Sequence, residues 1–380
     1  MSSFWYLLVF AIALVVTAVI TPLTIKVAKH FNIIDYPDGR RINEKPVPRL
    51  GGIALYLGIL ISFVALFFFY APDVEGIRHG LTPNINYFGV ALSATVIFAV
   101  GLIDDFRTIR VRYKLIGQIV AAIIACLSGV LFSRIASPNG GPFIELGLFA
   151  YPITVFYLVA FANIINLIDG LDGLAAGIAA ISSAALFVIA IGKGGFDVAL
   201  VTLAIAGSCI AFLRYNSYPA RIFMGDAGAL LLGFLLGLVS LFGVVRTPAF
   251  ITLAVPIVVA GIPVIDTFSA IVRRLRAGRS VVDADTKHIH HRILEIGYDQ
   301  QTTVYILYVF SGLLALCALL LTRYTGWIRW AIALVLIGMM FILIIRLRLT
   351  DPVLKHYYNK RASDQQASED NTDKRPESDA

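Results

Sequence analysis

Residues 4–25 read FWYLLVFAIALVVTAVITPLTI, twenty-two positions without a charge, closed by Lys26 and Lys29. A helix crosses the apolar core of a bilayer with about 20 predominantly apolar residues, range roughly 17–25. This run meets that length. Ten more follow, near 51–70, 87–103, 115–132, 149–165, 173–192, 199–213, 229–245, 250–272, 302–321 and 327–345. The expected fold is an all-α polytopic membrane protein of about 11 transmembrane helices, occupying residues 1–350. The polar remainder, 351–380, ends ASDQQASEDNTDKRPESDA. Its composition buries too little apolar surface to fold, so it reads as a disordered cytoplasmic tail.

Composition agrees. Of 380 residues 58% are hydrophobic and 14% charged, against about 25% charged in a soluble domain. Mean hydropathy is +0.83. Such a chain belongs in lipid. A disordered protein, a nucleic-acid binder and an ordinary soluble two-domain enzyme are excluded. The first apolar run has no basic residue before it, the wrong polarity for a cleaved signal peptide. Cys126, Cys209 and Cys317 each lie in an apolar run and read as small core residues, not as a disulfide framework.

Lys and Arg fix the expected orientation. Arg78, Arg134, Lys193, Arg246, Arg323 and Arg329 fall on one side, and the other 25 of the 31 basic residues on the opposite side or in the tail. The positive-inside rule puts the N-terminus outside and the C-terminus in the cytoplasm.

The acids follow the same asymmetry. Asp104 and Asp105 end the 87–103 run, Asp169 and Asp172 lie between two runs, and Asp226 precedes the 229–245 run. Asp266 sits toward the cytoplasmic end of the 250–272 run. All six converge on one face. A transporter places its polar site near the bilayer midplane, and a channel lines a path from face to face. Acids gathered where cytosol meets lipid suit an enzyme that joins a soluble substrate to a lipid. Helix capping is the plainer explanation for any single Asp, but it fits the 104–105 pair poorly, because negative charge opposes the dipole at a helix C-terminus.

In NIINLIDGLDG, residues 163–173, polar side chains recur at Asn163, Asn166, Asp169 and Asp172. Steps of three drift slowly round one side of a helix, so two amides and two carboxylates are expected to face one small volume. Hard oxygen ligands of this kind suit Mg²⁺, which takes one or two carboxylates plus substrate phosphates. FMGDAG, residues 223–228, places Asp226 between glycines at a helix entry, able to cap it and still reach a metal. The loop Asp283-Ala-Asp-Thr-Lys-His288-Ile-His290-His291-Arg292 holds three of the six histidines. Adjacent histidines do not readily face one metal and no cysteine joins them. The loop reads as an anion site with Arg and His donors on a diphosphate, ahead of a zinc site or a solvated surface. Lipid, cytosolic anions, clustered carboxylates and a basic loop together imply phosphoryl transfer. Gly233-x-x-x-Gly237 supports a close helix contact, within the chain or in a homodimer.

PVPRLGG at 46–52, GLIDDF at 101–106, NIINLIDGLDGLAAG at 163–177, FMGDAG at 223–228 and HIHHRILEIG at 288–297 together resemble the polyprenyl-phosphate N-acetylhexosamine-1-phosphate transferase family. HIHHR resembles its WecA/TagO branch, as does the count of eleven helices. The resemblance implies transfer of N-acetylglucosamine-1-phosphate from UDP-GlcNAc to undecaprenyl phosphate with Mg²⁺ (or Mn²⁺) and release of UMP. The setting it implies is a bacterial inner membrane, with the site on the cytoplasmic face and no nucleic-acid partner. It implies that Asp226 is the main Mg²⁺ ligand with Asp169 and Asn166 beside it, that Asp104 deprotonates the lipid phosphate, and that Asp105 is its electrostatic partner. Lys45, Gly170, Leu171, Asp172, Asn216 and Phe223 resemble the uridine pocket. His288, His290, His291 and Arg292 resemble the binding site for sugar and diphosphate. The family's Asp-Asp-x-x-Lys form is only loosely present: the chain reads Asp104-Asp105-Phe-Arg107, and Lys114 comes later. The alternatives are a phospho-N-acetylmuramoyl-pentapeptide transferase and, in another class, a transporter of phosphorylated solutes.

Overall fold

A computed structural model describes residues 2–36, 46–70, 85–135, 144–245, 261, 293, 297–324 and 326–346. Ten α-helices are formed among them. In chain order they are α1 Ser2–His30, α2 Gly51–Tyr70, α3 Tyr87–Phe106, α4 Val111–Leu127 and α5 Ala150–Ile168, then α6 Leu174–Gly192, α7 Phe196–Asn216, α8 Gly225–Val245, α9 Gln300–Arg323 and α10 Gly326–Arg346. Two short antiparallel pairs join them: β1 Ile34–Asp35 with β2 Val47–Pro48, and β3 Arg134–Ile135 with β4 Ile144–Glu145. Six helices (α1, α3, α5, α6, α7 and α9) are long and apolar enough to cross a membrane, and α2, α8 and α10 carry shorter apolar stretches. The chain is a polytopic, all-helical membrane protein. Ten of the eleven expected spans coincide with a helix. The 250–272 run, Lys45, Asp266, residues 288–292 and the 351–380 tail lie outside the described residues.

A helix apolar all round belongs in a core, and α8 shows this. From Ala227 to Leu241 it is almost wholly buried, sheathed by α2, α3, α5, α6 and α7. Leucine fills most of that surface, while Gly233 and Gly237 let α5 come close: a Cβ on Gly233 would lie 2.4 Å from the Phe161 carbonyl oxygen. The small-residue motif is therefore used inside the chain, and it gives no support to a homodimer. Leu7, Val15, Val19, Ile116, Val120, Ile123 and Leu334 are exposed, as lipid-facing side chains must be. Cys126, Cys209 and Cys317 are free and buried, as their apolar settings required.

Three helix ends differ from the expected boundaries, each in a way that matters for the site. α5 continues to Ile168, so Asn163 and Asn166 are helical. α7 reaches Asn216. α8 begins at Gly225, so Asp226 stands in its first turn and does not precede it. Backbone hydrogen bonds then knit the 46–52 segment to the entry of α8. Gly51 N–H donates to the Phe223 carbonyl (2.9 Å), Gly52 N–H to Met224 (2.8 Å) and Phe223 N–H to Pro48 (2.8 Å). A Cβ on Gly52 would lie 2.3 Å from the Gly228 nitrogen, and one on Gly101 would lie 2.5 Å from the Asp226 carbonyl oxygen. The starts of α2 and α8 and the end of α3 thus meet backbone to backbone.

Because the atoms facing Gly101 are backbone, no side chain can swing away to make room. Gly101→Ala is expected to destabilise the protein by about 1–3 kcal/mol through overpacking and to displace Asp226. Thermal unfolding of the purified protein checks this, and an unchanged midpoint would contradict the close approach.

Candidate active site

The junction of α2, α3 and α8 gathers charge. Asp105, in the last turn of α3, has a side chain with no exposed surface. Its Oδ1 accepts from Arg49 Nε (2.9 Å) and the Asp226 N–H (2.8 Å), and its Oδ2 accepts from the Ala227 N–H (3.0 Å). Asp105 therefore caps α8 from another helix, satisfying two of the amides that a helix start leaves open. Gly225 makes this possible. Its φ is +68°, a region glycine enters freely, and a Cβ there would lie 2.5 Å from the Asp105 carboxylate. Asp105, adjacent in sequence to Asp104, is thus the tie between α3, the start of α8 and the lead-in to α2.

Asp104 faces the other way. Its Oδ1 accepts the Ile109 N–H (2.8 Å), and its Oδ2 lies 3.1 Å from Lys114 Nζ. Lys114 also contacts Asp226 Oδ2 directly. Asp226 Oδ1 accepts from Asn166 Nδ2 (3.0 Å) and stands 3.9 Å from Arg49 Nη2. Asp226 is thus the centre of the cluster, held by α4, α5 and the lead-in to α2. It does not cap α8, because Asp105 does.

The connection Arg107–Arg110 turns the chain back between α3 and α4, so Lys114, one turn into α4, comes level with Asp104 near the end of α3. The lysine missing from the expected spacing is delivered by this hairpin. Arg49 is the second cation. Burial works against its charge, but Asp105 and Asp226 outweigh burial and raise its pKa.

The row at 163, 166, 169 and 172 divides. Asn163 pairs with Gln118 of α4 through two amide hydrogen bonds (2.7 and 3.2 Å), a polar contact that joins helices away from the cluster. Asn166 reaches Asp226. Asp169 ends α5 as its C-cap. Burial pushes its carboxyl well above the usual carboxylate range, and the nearby charges of Asp226 and Asp105 push it further. Asp172 lies past the helix end and accepts the Ala220 N–H (2.8 Å). Of the four, Asn166 contacts Asp226, Asp169 lies near the charges of Asp226, Asp105 and Asp172, and Asn163 turns to Gln118. α5 stops at Ile168, and the turn through Gly170–Gly173 sends Asp172 toward the 217–222 loop.

Among the other expected site residues, Leu171 is buried and Gly170 exposed. The Phe223 backbone is bonded to Pro48 and Gly51. Asn216 is buried and donates to the Ile222 carbonyl (2.9 Å), and its Oδ1 has no hydrogen-bond partner among the described residues. These residues border the 217–222 loop and the α8 entry.

The two adjacent aspartates should respond differently to substitution. Asp105→Asn loses an acceptor toward buried donors and removes the nearer of Arg49's two counter-charges, at a cost of about 3 kcal/mol. Asp104→Asn keeps an acceptor for Ile109 and should leave the unfolding midpoint near that of the unsubstituted protein. Equal midpoints for the two variants would contradict the division of labour.

Residues 87–244, which hold α3 through nearly all of α8, match glycosyl transferase family 4. A probable undecaprenyl-phosphate N-acetylglucosaminyl 1-phosphate transferase of Bacillus subtilis is 31% identical over 334 residues, 88% of this chain and 90% of that protein. A decaprenyl-phosphate N-acetylglucosaminephosphotransferase of Mycolicibacterium smegmatis is 34% identical over 313 residues, 76% of this chain and 75% of that protein. A phospho-N-acetylmuramoyl-pentapeptide-transferase of Desulforudis audaxviator is 30% identical over 333 residues, 82% of this chain and 95% of that protein. Similarity at this level along nearly the whole chain, over the helices that assemble the cluster, places it in a family: the chain belongs to glycosyl transferase family 4.

Proposed function

We propose that this protein transfers N-acetylglucosamine-1-phosphate from UDP-GlcNAc to undecaprenyl phosphate, giving undecaprenyl-diphospho-GlcNAc and UMP. It would do so in a bacterial cytoplasmic membrane, with eleven spans, the N-terminus outside and the cluster on the cytoplasmic face. The observation that carries this reading is the meeting of Asp104, Asp226, Asn166, Lys114 and Arg49 at one end of the bundle. The names of the Bacillus and Mycolicibacterium relatives support the sugar. The Desulforudis relative keeps the muramoyl-pentapeptide donor as the competing reading.

The chemistry is one displacement. An oxygen of the acceptor phosphate forms a bond to the phosphorus that carries the sugar. The bond from that phosphorus to the bridging oxygen breaks, and its electron pair leaves on UMP. Such a reaction depends chiefly on positioning and charge neutralisation. Asp105 is buried and held by three donors, so Asp104 is the better placed of the two to meet a substrate. Asp104, beside Lys114, takes a proton from the acceptor phosphate, and Lys114 and Arg49 offset the negative charge of two phosphorylated substrates. Direct attack therefore needs no aspartyl intermediate.

The donor set fits Mg²⁺. Among the described residues no three His, Cys, Asp or Glu stand together as a metal cage, but Mg²⁺ takes one or two carboxylates and completes its shell with water and phosphate. Asp226 with Asn166 would hold it, with Asp169 close by, and Lys114 already marks Asp226 as a place that draws a cation. When bound, the ion would screen the phosphate charges and polarise the phosphorus under attack.

Purified protein given undecaprenyl phosphate and a panel of UDP-sugars is expected to release UMP with UDP-GlcNAc. Release only with the muramoyl-pentapeptide donor would favour the competing reading, and none with any donor would remove both. Asp226→Asn should lower kcat by two or more decades with the fold intact, since Asp105, not Asp226, caps α8; activity restored by saturating Mg²⁺ would contradict the assignment. Arg292→Lys keeps charge but loses the planar fork. It should cost about 1.5–3 kcal/mol, or roughly one to two decades in kcat/KM for the UDP-sugar, with Mg²⁺ dependence unmoved. Unchanged donor kinetics would make the histidine loop a bystander. A cysteine placed at position 279 should resist an impermeant reagent added to intact cells, and ready labelling would invert the topology.

A further inference from the structure

The motif at 163–177 ends on Gly177, one turn into α6. Gly177 is a notch: a Cβ there would overlap the ring and hydroxyl of Tyr308, from α9. Seated in that notch, Tyr308 donates its hydroxyl to the Gly173 carbonyl (2.6 Å). The same carbonyl accepts the Gly177 N–H (2.9 Å), the bond that starts α6. Gly173 is the N-cap of α6, with a φ of +79° and no side-chain cap of its own. A phenylalanine would fill the notch equally well. What the hydroxyl adds is a fixed place for one carbonyl.

α9 holds the same turn at a second point. Asp172 accepts the Ala220 N–H (2.8 Å) and is hydrogen-bonded by the side chain of Gln300, the first residue of α9. Gln300 and Tyr308 lie about two helical turns apart, and they fasten adjacent residues, Asp172 and Gly173. Residues 170–173 are all that separates Asp169 from α6. On its other side Asp169 is tied to α5 by a long bond, from its N–H to the Asn166 carbonyl (3.3 Å). The pinned turn is therefore a large part of what places Asp169, the carboxylate on which the charges of Asp226 and Asp105 act.

We propose that Tyr308 is a positioning residue: its hydroxyl on Gly173, together with Gln300 on Asp172, anchors the 170–173 turn to α9 and keeps Asp169 beside Asp226. The assignment rests on the transferase reading and goes beyond it, giving α9 a part in the site although none of its side chains joins the charge cluster among the described residues. It also explains why the 163–177 motif closes on a glycine.

The test uses the full chain in nanodiscs. Tyr308→Phe keeps the ring in the notch and removes only the hydroxyl, so the unfolding midpoint should stay near that of the parent. Its affinity for Mn²⁺ alone, read by paramagnetic resonance, should fall by about fivefold, the worth of one hydrogen bond. kcat should fall by about tenfold, as misplacement of a reacting centre predicts, with the KM for undecaprenyl phosphate within twofold. Gly177→Ala, which expels the ring, should give the same losses, and the two changes combined should lose no more than the larger alone. Tyr305→Phe, which alters a ring packed on Tyr308 but not bonded to the turn, should change neither quantity. Mn²⁺ affinity or kcat within twofold of the parent in Tyr308→Phe would overturn the proposal, as would a lowered midpoint with both quantities unchanged in the folded fraction. So would a parent that binds no Mn²⁺, since the placed carboxylate would have no ion to serve. If Tyr308→Phe weakens Mn²⁺ binding as expected, yet the parent releases UMP from no UDP-sugar, the positioning role stands and the transferase reading falls.

Discussion

The structure depends on one carboxylate placed at the wrong end of its own helix. A negative charge in the last turn of α3 opposes that helix's dipole. Asp105 is tolerated there because the start of α8 arrives opposite it, with two amides and the favourable end of a dipole, and because Arg49 brings a full positive charge. What is unfavourable for one helix is what its neighbour requires. The close approach needs bare backbone at Gly52 and Gly101 and a left-handed turn at Gly225. Three motifs far apart in the chain, around residues 49, 105 and 226, are therefore parts of one joint.

Asp226 inherits its position from that joint. With its backbone fixed by Asp105, its side chain is presented at the start of the deeply buried α8, between Lys114 and Arg49. Gathering several ionised groups at the edge of an apolar bundle is costly, because each gives up hydration. A protein needing stability alone would do as well with apolar residues there. Retaining two cations around a central carboxylate makes sense where anions must be received, and phosphorylated substrates bring more charge than the two basic residues can balance. A divalent cation would complete the balance.

The fold was legible because a transmembrane helix is announced by length and apolarity, and ten runs became helices within a few residues of their expected bounds. Helix ends were not, since a polar residue in the last turn looks the same as one in the following loop. That ambiguity hid the real arrangement of Asn163, Asp172 and Asp226. Asn166, Asp169 and Asp226 could be found from residue type and spacing. Arg49 and Lys114 could not be found by spacing within a motif, because their partners lie 56 and 112 positions away along the chain. One cue existed for Lys114: it and Asp104 stand about equally far from the turn between α3 and α4, which a helical hairpin makes neighbours. No comparable cue existed for the tie that Asp105 makes, since two of its three partners are backbone amides that any residue supplies.

The central claim is that the knot of charge around Asp226 is where a metal and two phosphates meet. Paramagnetic resonance of Mn²⁺ bound to the purified protein in the presence of UDP-GlcNAc tests it without requiring turnover. The expected result is one bound ion per chain in the parent, lost in Asp226→Asn and retained in Asp172→Asn, whose side chain accepts from the Ala220 N–H and makes no contact with Asp226 among the described residues. An ion bound with undiminished affinity in Asp226→Asn would contradict the account.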